Sequence, residues 1–180
     1  MSKENPYHNM NQIILEQLRQ HEITVNEIGE IVYDLQKDYI PELTQKIAND
    51  SVMHVLAKRE VQNAILTGLA LDELANQKKL PQPLQQIVEN DEGLYGIDEQ
   101  IAMGITAVYG SIGITNYGYV DKLKPKLIGR LNAHKGGVVN TFADDLVGAI
   151  AAAAAARIAH DHPQAVHDNF GIKENVPKFA

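Results

Sequence analysis

The chain of 180 residues contains no cysteine, which removes disulfide frameworks, zinc–thiolate sites and cysteine nucleophiles together. Carboxylates and histidines remain as its metal ligands. Basic residues are in deficit: 16 Lys and Arg against 23 Asp and Glu give a formal net charge of −7, which disfavours nucleic acid or an anionic membrane as a global partner. A phosphate-bearing ligand must then be attracted locally. Uninterrupted apolar runs approaching the about 18 residues of a spanning helix are missing, and the start, Met-Ser-Lys-Glu-Asn-Pro, lacks a charged-then-apolar leader pattern. A soluble, cytoplasmic protein is expected. Also absent are the phosphate-binding patterns Gly-x-Gly-x-x-Gly and Gly-x-x-x-x-Gly-Lys-Ser/Thr, and an Asp-x-Asp nucleophile pair.

What is present reads almost entirely as helix. Met10, Ile13, Ile14 and Leu18 recur at helical spacing, and Thr24-Val-Asn-Glu27 is a capping-box pattern opening a second helix through Ile28, Ile31, Val32 and Leu35. Pro41 suits the first turn of a third helix carrying Leu43, Ile47, Val52, Val55 and Leu56, with a polar patch at Asn49-Asp50-Ser51. Val61, Ile65, Leu69 and Leu74 form a further stripe that ends at Pro81-Gln-Pro83, followed by a short helix around Leu84–Val88. Ile97, Ile101, Ile105, Val108 and Ile112 predict one long core helix. Residues 110–121, rich in glycine and β-branched residues, argue against sustained helix and leave room for a short strand pair.

A last helix is expected from near Thr141 to His160, with six alanines at 151–156. So little polar surface predicts a central position with close neighbours. The fold class is therefore all-α: one domain over residues 1–163, about six to eight helices around a central alanine-rich helix, with residues 164–180 as a tail.

Chemistry concentrates between Asp98 and Asp145. Asp98-Glu99 opens one helix and Asp144-Asp145 opens the central one, while Lys122, Lys124, Lys126, Arg130, His134 and Lys135 lie between them against the single acid Asp121. Hard divalent cations take oxygen ligands from a few carboxylates, and Lys and Arg neutralise phosphate, so the combination suits a metal-dependent phosphate site. Thr141-Phe-Ala-Asp144 also fits a capping box, whereas Asp145 falls on the buried side with Gly148, Ala149 and Ala152 and needs a cation or several donors. Asp98 lies on the core stripe through Ala102 and Ile105, with Glu99 in support. Gly136-Gly137 is either an approach for phosphate or a plain turn, and Tyr95, Tyr109, Tyr117 and Tyr119 read as packing aromatics.

Three ordered blocks resemble one family. His134-Lys-Gly-Gly-Val-Val-Asn-Thr-Phe-Ala-Asp-Asp-Leu-Val-Gly-Ala149, Gly96-Ile-Asp-Glu99 and Asp121-Lys-Leu-Lys-Pro125 are similar to the blocks of phosphatidylglycerophosphatase A, and Lys58–Gly68 with Asp91–Gly96 draws the chain toward its soluble, YutG-like branch. The resemblance implies an all-helical fold around one central helix and a phosphomonoesterase that uses Mg²⁺ or another divalent cation. It would convert phosphatidylglycerol phosphate to phosphatidylglycerol and phosphate. Asp98, Glu99, Asp121, Asp144 and Asp145 match the family's acidic positions, Lys124 its lysine and Gly136-Gly137 its glycine pair.

The expected catalytic residues are Asp98, Asp121 and Asp145; the expected metal ligands are these three with Glu99 and Asp144. Phosphate neutralisation falls to Lys122, Lys124 and Arg130, with Gly136 and Gly137 as backbone contacts. The expected partner is a phosphorylated small molecule or lipid headgroup rather than nucleic acid, with peripheral contact at the inner face of the membrane and a homo-oligomer left open. Two alternatives stand beside this reading. One is a catalytically inactive headgroup-binding or assembly protein; the other is a His-Asp metal phosphohydrolase built on His160-Asp161 with His134 and Asp168.

Overall fold

Six consecutive alanines carry so little side chain that a helix built on them can be approached closely from every direction. In the computed structural model, which describes residue 5, residues 7–133 and residues 135–162, that helix is the axis of the molecule. Numbered in chain order, the helices are α1 (Met10–Gln20), α2 (Val25–Gln36), α3 (Gln45–Leu56), α4 (Arg59–Asn76), α5 (Leu84–Glu89), α6 (Ile97–Ala107), α7 (Gly110–Leu123), α8 (Leu127–Asn132) and α9 (Ala143–Asp161). A single 3-10 turn at Lys135–Gly137 completes the regular structure, and no strand occurs among the described residues.

Every residue of α9 from Ala143 to Ala156 is buried. Helices α2, α3, α4, α6, α7 and α8 all pack on it, while α1 and α5 lean on α4. Ser51, in the polar patch of α3, is fully buried and donates from Oγ to the Ala154 carbonyl at 2.9 Å, so α3 runs on through the patch. The Thr24 capping box forms as expected: Thr24 Oγ1 accepts from Glu27 N at 3.2 Å and the Glu27 carboxylate accepts from Thr24 N. No helix among the described residues is long and apolar enough to cross a membrane.

The structure corrects several expectations. The stripe from Ile97 to Ile112 is not one helix, because the chain breaks at Val108 and Tyr109 and restarts at Gly110 with φ 72°. Its outer members stay exposed, Ile97 at 47% and Val108 at 41%, and the buried side of α6 is Asp98, Ala102, Ile105 and Thr106. Residues 110–121 are helical rather than a strand pair: Tyr117 and Val120 reach Gly148 of α9, Gly113 packs against the end of α6, and tertiary packing outweighs weak propensity. Pro41 lies in a turn outside α3, which starts at Gln45 with Thr44 as its cap. The split of the long helix into α6 and α7, together with α8, which periodicity did not mark, gives nine α-helices among the described residues where about six to eight were expected.

Replacing Ala152 with Leu is expected to destabilise the protein by about 1–3 kcal/mol through overpacking. Urea denaturation reads this, and an unchanged midpoint would contradict the central position of α9.

Candidate active site

A buried helix start poses a problem, since its first N–H groups have no intrahelical acceptor and no water. Thr141 and Asp144 do not solve it as the expected capping box, because Thr141 Oγ1 instead donates to the Val88 carbonyl at 2.6 Å. The acceptor is Asp72 of α4, fully buried, whose carboxylate takes Phe142 N at 3.1 and 3.2 Å and Ala143 N at 2.9 Å. One turn further along α4, Asn76 clamps the same segment, donating to the Val139 carbonyl at 3.0 Å and accepting from Val139 N at 2.8 Å. Tyr95 packs edge-on against Phe142 at 6.0 Å, bringing the loop before α6 to the same end.

With its N-terminus held this way, α9 presents Asp144 and Asp145, only 3% and 5% exposed. Lys124 ends α7 in the left-handed conformation, φ 45°, and its Nζ lies 2.7 Å from Asp121 Oδ1, 2.9 Å from Asp144 Oδ2 and 3.5 Å from Asp145 Oδ1. Gly129 allows the return path, since a Cβ there would stand 2.5 Å from the Lys124 carbonyl oxygen. Asp98 of α6 is buried beside this group; its Oδ1 accepts from Glu99 N at 2.9 Å, and among the described residues it pairs with no cation.

Too many acids share one ammonium, and the protonation equilibria show it. Burial, then the neighbouring Asp144 charge, pushes Asp145 up to about 8 despite Lys124. Burial takes Asp144 to about 6 against the pull of Lys124, and burial raises Asp98 as well. Burial opposes the Lys124 ammonium, but Asp144, Asp121 and Asp145 outweigh it and hold its pKa up. Tyr117 also faces this group: burial, then Asp145, Asp121 and Glu99, keeps its phenol protonated.

The structure thus brings together Asp98, Asp121, Lys124, Asp144 and Asp145, with Glu99 exposed at the edge. It commits Arg130 elsewhere, to Glu22 and Glu27, and Lys126 to Glu30 and Asp34. Lys122 is exposed, and Gly136 and Gly137 form the 3-10 turn with φ 76° and 77°. For the His-Asp alternative, His160 is exposed and Asp161 pairs with Arg157 at 3.4 Å, while His134 and Asp168 lie outside the described residues.

Asp72 and Asp91 escape the sequence pattern, as does a polar role for Tyr117. Asp72 had a signal: it falls three residues after Leu69 and seven after Ile65, on the apolar face of α4. Asp91, whose charge raises Asp72, Asp98 and Asp144, sits in a loop with no period to betray it.

Four carboxylates and a lysine gathered around the start of a buried helix define an all-helical protein with an anionic centre of hard oxygen donors. The model of the family "PgpA: Phosphatidylglycerophosphatase A" matches residues 24–160, and the chain belongs to that family. It is 51% identical over 160 residues to the uncharacterised protein YutG of Bacillus subtilis (strain 168), covering 89% of this chain and 96% of YutG. The low temperature requirement C protein of Listeria monocytogenes superposes with a TM-score of 0.83 at 51% identity, covering 86% of this chain and 97% of that one. A protein of unknown function from Bacillus stearothermophilus superposes at 0.82 with 53% identity, covering 84% and 94%.

Two outcomes follow for Asp72. Asp72→Ala strips the acceptor from two buried N–H groups and is expected to cost about 1–3 kcal/mol, with Asp72→Asn milder because one acceptor oxygen remains. Burial raises Asp72 from 3.8 to about 8, so folding takes up a proton there. That contribution is whole below the unfolded value of 3.8 and is lost as pH rises through about 8. The urea midpoint is expected to fall between mildly acidic and mildly alkaline pH, with a shallower fall in Asp72→Asn; parallel curves would contradict it.

Proposed function

We propose that the chain is a divalent-cation-dependent phosphomonoester hydrolase acting on phosphatidylglycerol phosphate. The observation that carries the reading is the convergence of Asp121, Asp144 and Asp145 on Lys124, beside the buried Asp98, which pairs with no cation among the described residues. Among the described residues no three acids or histidines form a ready-made metal ligand set. The donor chemistry nonetheless fits Mg²⁺, which binds through one or two carboxylates and keeps several waters. Carboxylates left buried with too little positive charge also favour such an ion.

Asp98 and Asp145, with Glu99, Asp121 or Asp144 in support, would hold Mg²⁺, which would supply Lewis-acid polarisation of a phosphoryl oxygen. Lys124 then exchanges part of its carboxylate company for phosphoryl oxygens and neutralises charge that develops as the bond to phosphorus breaks. Asp121 is the most open of the carboxylates bound to Lys124, its side chain 31% exposed against 5% and 7% for Asp144 and Asp145. It takes the proton of the attacking water on Oδ2, the oxygen not bound to Lys124. Water adds to phosphorus as the ester P–O bond breaks, the ester oxygen takes a proton from solvent and leaves as the lipid alcohol, inorganic phosphate is released, and Asp121 gives its proton back to water.

Apolar side chains on the segments that carry the acids favour a lipid ester over a free metabolite. Leu94 is fully exposed, and Leu123 and Ile97 are 57% and 47% exposed. Leu94→Ser and Leu123→Ser are expected to slow hydrolysis of phosphatidylglycerol phosphate in vesicles while sparing a water-soluble short-chain analogue.

The deciding experiment is phosphate release from phosphatidylglycerol phosphate and a panel of soluble phosphomonoesters with Mg²⁺. Asp98→Asn and Asp145→Asn are expected to lower turnover by more than about 100-fold, and Arg130→Ala to stay within about twofold, its exposed pairs contributing little. No turnover of any ester by the wild type would refute the reading and leave a headgroup binder.

A further inference from the structure

Tyr117 occupies a position that a packing role does not explain. It lies one turn before Asp121 on α7, and its ring covers Gly148 of α9, where an added Cβ would stand 3.5 Å from Tyr117 Cε2. Gly148 follows Asp145 by three residues, so ring and carboxylate share one face of α9. The side chain is only 6% exposed, and the hydroxyl is buried without a hydrogen bond of good geometry, although it faces Asp145. Phenylalanine would fill the same space without burying an unmatched donor. A phenol is protonated at neutral pH, so the hydroxyl is a standing donor aimed at a carboxylate.

The carboxylate it faces is held loosely on its other side. Lys124 approaches Asp145 Oδ1 only at 3.5 Å while bonding Asp121 and Asp144 closely. Of the three carboxylates around Lys124, Asp145 is the least tightly held.

We propose that Tyr117 is a positioning residue for Asp145: its hydroxyl donates to one carboxylate oxygen when the other turns to a divalent cation, fixing the orientation of that ligand. Hydrogen-bonded neighbours of metal-binding carboxylates set both the direction and the basicity of the ligand. The inference rests on the reading of Asp145 as a cation ligand under Proposed function, and it makes the unmatched hydroxyl of the metal-free protein a group that gains its partner on loading.

Calorimetric Mg²⁺ titration of the wild type and Tyr117→Phe, with thermal melting of both metal-free proteins, provides the test. Tyr117→Phe is expected to weaken Mg²⁺ affinity by about tenfold while the metal-free melting temperature holds or rises. Phosphate release should fall through the same loss and recover part-way at saturating Mg²⁺. Unchanged Mg²⁺ affinity in Tyr117→Phe overturns the inference and leaves the reading of Asp145 intact. A lower metal-free melting temperature, with a Mg²⁺-induced shift equal to that of the wild type, marks a packing role and also overturns it. A wild type that neither binds Mg²⁺ nor releases phosphate overturns the underlying reading itself.

Discussion

Burying the N-terminal end of α9 is the constraint from which the rest of the site follows. A helix whose first residues lie out of water must find acceptors for its leading N–H groups and cations for its acids within the protein. Asp72 meets the first need through Phe142 N and Ala143 N. Lys124 meets part of the second through Asp144 and Asp145. Neither lies near α9 in sequence, so the folds of α4 and of the α7–α8 corner are tied to the start of the central helix. Asn76, Thr141 and Gly129 are the local devices that make those ties fit.

Electrostatics at this end are deliberately unbalanced. A structural ion pair would match charge for charge, since an unpaired buried carboxylate is costly. Here one ammonium serves Asp121, Asp144 and Asp145, while Asp98 accepts from backbone N–H and pairs with no cation among the described residues. Burial and mutual repulsion raise Asp145 to about 8 and Asp144 to about 6. Such strain is characteristic of sites that take up a cation or proton in use, as perturbed carboxylates generally are. The remaining basic residues of the α7–α8 segment do not relieve it, because Lys126 and Arg130 reach away to the acids of α2 and to Glu22.

Much of this was legible before any coordinates. The alanine run announced a buried helix, and Asp98, Asp144, Asp145 and Lys124 stood out by charge placement and by family motif. Periodicity failed where two demands competed. Ile97 and Val108 share a helical period with Ile112 yet remain exposed, since burial of Asp98, Ala102 and Ile105 turned α6 the other way, and Ile112 lies beyond the break on α7. Gly110, Gly113 and Gly118 looked unhelical, but burial of Tyr117 and Val120 against α9 carried the helix through, with Gly113 tight against the end of α6 and Gly110 and Gly118 exposed.

Composition and local pattern determined an all-helical chain, its alanine-rich centre and the acids at two helix starts, because burial of apolar surface and the helical repeat are written in neighbouring residues. Only the tertiary structure decided which charges meet. Lys124 rather than Arg130 joins the aspartates, Asp72 rather than Thr141 caps α9, and Tyr117 turns its hydroxyl to Asp145. Each of those choices depends on groups brought together from separate helices, where distance and desolvation, not sequence spacing, set the energy.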